Sequence, residues 1–87
     1  MDMRSEGIVR YLKKQPSLLV RKRGNAQISV KGARYDDIRN TFRNLNTRLI
    51  RILPEMAKQG IIERIEVGDR RYRGLVLWGW KEVVEHG

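Results

Sequence analysis

Nineteen of the 87 residues are lysine or arginine, and many stand at spacings that bring their cationic groups together. Arg48 and Arg51 are three apart and Arg39 and Arg43 are four apart, so on a helix each pair projects from one side. Arg70, Arg71 and Arg73 surround Tyr72, and Arg21, Lys22 and Arg23 run consecutively into Gly24. Guanidinium groups hold anions, because the planar fork clamps a phosphate or pairs with two acceptors at once. This is the chemistry of recognition rather than of bond breaking.

The residue types that catalysis and metal binding require are scarce. There is no cysteine, which excludes disulfides and thiolate metal sites. The one histidine, His86, stands beside the C-terminus, and a lone tail histidine makes neither a zinc site nor a triad. Asp36-Asp37 is an isolated acidic pair at a predicted helix start, where the helix dipole is reason enough for it. No glycine-rich phosphate cradle is present. The sequence predicts a protein that is not an enzyme and uses no cofactor or metal.

Ten acids against nineteen bases leave a net charge of +9. A field of that size attracts polyanions such as DNA, RNA or anionic lipid. The placement is uneven. Residues 7–35 carry eight bases and no acid, and residues 38–54 carry four arginines and no acid. One basic side facing a polyanion is the inference. A chain of 87 residues makes one domain with a small core, which self-association would supplement. No apolar run reaches the ~18–20 residues that span a bilayer. The N-terminus MDMRSEGIVRYL lacks the apolar core of a signal peptide. The expectation is a cytoplasmic, DNA-associated protein with no membrane partner.

The elements that position these groups follow from apolar spacing. Ile8, Val9 and Leu12 make a stripe for a helix over 5–14, which Pro16 ends. Residues 18–31 are rich in β-formers around Arg23-Gly24-Asn25 and read as a basic hairpin or strand. Tyr35, Ile38, Phe42, Leu45, Leu49, Ile52 and Met56 then recur at alternating spacings of three and four. Read bare, that is a heptad stripe, which one long helix with a partner would satisfy. Two features argue for a break into helices at 35–43 and 46–59. Asn44-Leu45-Asn46-Thr47 suits a tight turn, with Asn46 or Thr47 as a cap. Ile50 and Leu53 lie off the stripe and with Met56 form a second apolar row. Pro54 either bends the second helix or restarts it, and Gly60 stops it. From Ile61 to Val67 the residues alternate, with Ile61, Glu63, Ile65 and Val67 on one side. Gly68-Asp69 marks a turn, and Arg70 to Trp78 reads as the returning strand, with the arginines near the hairpin tip. Residues 79–87 form a C-terminal segment, with Trp80 to His86 as a final short helix or strand.

Helix, strand-like linker, helix, turn, helix and hairpin is the order of a winged helix-turn-helix domain, and over residues 33–77 the sequence resembles that family. Ile50, Leu53 and Met56 stand where its recognition helix is buried. Gly60-Ile61-Ile62-Glu63-Arg64 looks like its approach to the wing, and Arg70 to Leu75 like its return strand. Asn44 takes the place of a frequent glycine and Asn46 that of a serine cap. The likeness is to compact repressor-like members, including those of archaea and their viruses. It implies an α+β domain with a three-helix core and a C-terminal β-hairpin wing spanning 61–78.

That resemblance implies a sequence-specific, double-stranded-DNA-binding transcriptional regulator, acting as a homodimer. Arg48 and Arg51 would face the major groove, with Asn46 or Thr47 on a phosphate or base edge. Arg39, Arg43 and Asn44 would meet the backbone. Arg70, Arg71 and Arg73 would reach the minor groove or flanking phosphates, and Arg21, Lys22 and Arg23 make a second basic tip. The N-terminal helix, the C-terminal segment and the two tryptophans are candidates for the dimer seam. Two further readings stay open: an RNA-binding or ribosome-associated module of the same fold, and a protein-interaction domain pairing through the 35–56 stripe.

Overall fold

The computed structural model describes residues 3–21, 26–45, 48–68 and 70–86. It is α+β, with three helices and a four-stranded antiparallel sheet. The helices are α1 (Met3–Lys13), α2 (Tyr35–Thr41) and α3 (Leu49–Lys58), and the strands are β1 (Ser17–Arg21), β2 (Ala26–Ala33), β3 (Glu63–Glu66) and β4 (Val76–His86). Across the sheet the order is β1-β2-β4-β3.

Each helix exists because its apolar stripe has somewhere to go. Ile8 and Leu12, one turn apart on α1, are fully buried. The helix ends before Pro16, with Lys14 and Gln15 N–H groups donating to the Tyr11 and Leu12 carbonyls. Lys31 of β2 reaches back, its Nζ donating to the Lys13 carbonyl at 3.3 Å. In α2 the first turn holds Asp36 and Asp37, which complement the helix dipole. Phe42 then leaves helical geometry at φ −112° and ψ 58°, and Arg43–Leu45 forms one 3₁₀ turn before α3.

The heptad spacing therefore belongs to two helices and the turn between them. Ile38, Leu45, Leu49 and Met56 are buried in one core, with Tyr35, Phe42 and Ile52 packed against it. This overturns the single long helix, and the stripe residues of 35–56 that the structure describes pack into this chain's own core. Pro54 sits inside α3, which runs through it without restarting. The end of α3 is a Schellman motif: Ile61 N–H donates to the Met56 carbonyl and Gly60 N–H to that of Ala57, with Gly60 at φ 78°.

Several expected boundaries move. Asn46 and Thr47, offered as the cap of α3, lie outside the described residues, and the helix begins at Leu49 with Arg48 as its N-cap. Ile50 is not in the core: Leu49, Leu53 and Met56 are buried, and Ile50 is exposed. The outgoing strand expected from Ile61 covers only Glu63–Glu66, so Ile61 and Ile62 precede it and Glu63 is exposed. Ile62 is drawn into the helical core. The returning strand starts at Val76, because Arg70–Tyr72 is a 3₁₀ turn. The proposed 68–69 turn keeps Gly68, while Asp69 lies outside the described residues. Of the two alternatives for the last residues the structure has the strand: residues 79–86 continue β4 and pair with β2 along its length.

Alternation along β2 and β4 gives the sheet two buried faces. Ala33 and Trp78 are cross-strand partners on the face covered by the helices. Val30, Leu77 and Ile65 lie on the opposite face with Val20, covered by Val67, Tyr72 and Leu75. Trp78 is thus a core residue, and Trp80 is half-buried with its Nε1 donating to the Ile61 carbonyl at 2.9 Å. Both indoles serve this chain's own core. No helix among the described residues is long and apolar enough to cross a membrane.

Between the two cores, β2 and β4 pass at Gly32 and Gly79, which are register partners. A Cβ at Gly32 would fall on the Trp78 carbonyl, and one at Gly79 on the Lys31 carbonyl. The neighbouring atoms are backbone and cannot rotate away. Gly79→Ala is expected to destabilise the domain by about 3 kcal/mol. Gly60→Ala, which meets nothing within 4 Å but carries a positive φ, should cost about 1 kcal/mol. Urea denaturation of the two variants tests this order, and equal losses would contradict the close pass.

Candidate nucleic-acid interface

The first cluster gathers around α3. Its buried residues recur at four and three, so the helix turns Arg51, Pro54, Glu55 and Lys58 outward, all of them exposed. Arg48 is exposed just before the helix, in near-helical geometry at φ −99° and ψ −19°. Its carbonyl accepts from Arg51 N–H and Ile52 N–H, both at 2.9 Å. Arg48 and Arg51 therefore still share one turn, although Arg48 is the cap residue rather than part of the helix face. Arg43 and Asn44 are exposed in the 3₁₀ turn that precedes them.

Arg39 is exposed on α2, but Asp36 lies 3.7 Å from it, in an exposed i,i+3 pair. Such pairs are worth well under about 1 kcal/mol, so a phosphate can displace the carboxylate. Arg34 makes the parallel pair, its Nε donating to Asp37 Oδ2 at 3.2 Å. That hydrogen bond, then the Asp37 charge, raises the Arg34 pKa above its ordinary value. The two acids of α2 thus moderate Arg34 and Arg39. Residues 42–54 have no acid, which leaves Arg43, Arg48 and Arg51 as the concentrated charge.

The second cluster was not legible as one site. The 67–75 segment folds over the sheet instead of projecting from it, anchored by Val67 N–H to the Leu75 carbonyl and Leu75 N–H to that of Tyr72, each 3.0 Å. Tyr72 packs against the Val20 and Val30 core, as its alternation with the arginines suggested. This carries Arg71 to the β1–β2 hairpin. Arg71, Tyr72, Arg21, Gln27, Leu19 and Val20 line one cleft of about 500 Å³. Arg21 and Arg71, far apart in sequence, therefore line one concave surface. Gln27 and Leu19 join it without any local signal, because their approach to Arg71 depends on the sheet order. Arg73 is exposed beyond the 3₁₀ turn. Lys22, Arg23 and the side chain of Arg70 lie outside the described residues.

A smaller cavity of about 230 Å³, lined by Arg4, Gly7, Phe42, Asn44 and Leu45, separates α1 from the turn. Phe42 meets Tyr11 edge-on beside it, with ring centroids 5.6 Å apart.

No protein-family model, curated protein or solved structure matches the chain.

Tyr72 is the pin that holds the second cluster together. Tyr72→Ala is expected to lower stability by about 2 kcal/mol. It should also speed amide exchange at Val67 and Leu75 more than in the helices. Thermal unfolding and hydrogen-exchange NMR measure the two effects. Unchanged exchange at Val67 and Leu75 would mean the segment is held by other contacts.

Proposed function

We propose that the protein is a sequence-specific double-stranded-DNA-binding protein, a transcriptional regulator that docks as winged helix-turn-helix domains do. α3 enters the major groove, and the 67–75 segment with the β1–β2 hairpin meets flanking backbone or minor groove. The observation that carries this reading is the outer face of α3. Its cap residue Arg48 and its first-turn residue Arg51 are exposed with no acid before Glu55, while Leu49, Leu53 and Met56 fix the helix to the core. A helix fits the major groove, and arginine pairs there with guanine through two hydrogen bonds. In such domains the helix before the recognition helix crosses the backbone, so the exposed Arg39, Arg43 and Asn44 would touch phosphates. Two copies of the chain would match a two-fold operator.

One observation favours a second reading. The cleft shared by Arg21 and Arg71 is concave and includes Tyr72 and Gln27, which suits an RNA-binding or ribosome-associated module on the same architecture.

Salt-titrated binding to a random duplex pool and to a structured RNA separates the two. Enrichment of one duplex sequence is expected. R48A/R51A should weaken binding to that sequence at least about tenfold more than to random duplex. The salt slope should fall by about one for each phosphate contact removed. Preference for RNA, or equal affinity for every duplex, would overturn regulation by site recognition.

A further inference from the structure

Among the described residues four large apolar side chains stand exposed, and Ile50 is the most exposed of them at 68 % and the one that lies on a helix. Neighbouring residues on a helix are about 100° apart, so Ile50 lies roughly a quarter turn from the buried line of Leu49, Leu53 and Met56. Pro54, also exposed, follows one turn later on the same flank. The two form an apolar strip beside Arg51.

A single exposed isoleucine needs no explanation by itself. Its surroundings limit what could cover it. A second copy pressed on this face would set Arg48 and Arg51 against their own images, and like charges oppose that contact. A lipid surface needs a broad apolar stripe, which two residues do not make. A polyanion whose interior displays an apolar group fits both features, and duplex DNA has one such group. The thymine 5-methyl is the apolar mark of the major groove.

We infer that Ile50, with Pro54 behind it, contacts the 5-methyl of a thymine next to the base or phosphate held by Arg51. The inference rests on the DNA-binding reading and adds a base preference to it. It also supplies a reason for DNA over RNA, since uracil lacks the methyl and the A-form major groove is too deep and narrow to admit the side chain.

The test uses the duplex enriched by the wild-type chain. Each thymine is replaced in turn by deoxyuridine, which removes only the methyl, and binding is measured for wild type, Ile50→Ala and Ile50→Val. One position should lose roughly fourfold with wild type, the worth of one buried methyl. The same replacement should cost Ile50→Ala almost nothing, with Ile50→Val between the two. The deoxyuridine series on wild type is independent of any folding defect in a variant, and thermal midpoints check the variants. If a sequence is enriched but no methyl couples to Ile50, this inference alone falls. If no sequence is enriched, the site-specific reading falls and takes the inference with it.

Discussion

The domain depends on two strands passing closer than side chains allow. β2 and β4 serve both cores, one on each face, and between those cores they meet at Gly32 and Gly79. Any Cβ there would collide with a partner carbonyl, so the pair must be glycine for the ladder to continue. Without that ladder, Trp78 and Ala33 could not back the helices while Val30 and Leu77 back the 67–75 segment. The outer face of α3 and the Arg21–Arg71 cleft are then two readouts of one backbone contact. Each needs the same pair of strands behind it.

Electrostatics are arranged within that frame by short-range pairing. Asp36 and Asp37 spend their charge on Arg39 and Arg34. Arg64 bonds Glu66 at 2.8 Å, and Lys81 lies 3.9 Å from Glu63. These are exposed contacts of small individual worth, but they decide where the residual charge lies. These four acids lie at the start of α2 and on β3. The turn leading into α3 has none, so Arg43, Arg48 and Arg51 have no acid around them within residues 38–54, beside a helix already held by its core.

The helical half was legible in the sequence because its signals are local. The stripe from Tyr35 to Met56, the asparagine-rich break and the stop at Gly60 each depend on neighbours a few residues away, and each corresponds to what forms. The off-stripe row held only in part. Leu53 and Met56 are buried with Leu49 of the stripe, but Ile50 lies about a quarter turn from them and is exposed. The β half was less legible. Arg70 to Trp78 alternates well enough for a strand, yet Tyr72 is drawn down onto Val20 and Val30, which tightens Arg70–Tyr72 into a 3₁₀ turn. That attraction comes from β1 and β2, which precede α2. The same long-range pairing turns the last residues into a strand. No window of the sequence contains both partners, so the cleft between Arg21 and Arg71 had no sequence signature.

β3 pairs with β4 only through Gly79, so among the described residues the rest of β4 has no strand on that side. An open stretch of this kind, with Val83 and Val84 exposed, is a template on which misfolded or neighbouring chains can stack. The register slips at the same place: Ile28 faces Val83 while Gln27 faces Glu85, which makes Val84 the extra residue of a bulge. A bulge twists an edge out of line, and Lys81 and Glu82 place charge just ahead of it. The irregularity therefore acts as a guard against fibre-like growth. It lets a small, strongly basic domain keep a long strand without offering a straight edge to its neighbours.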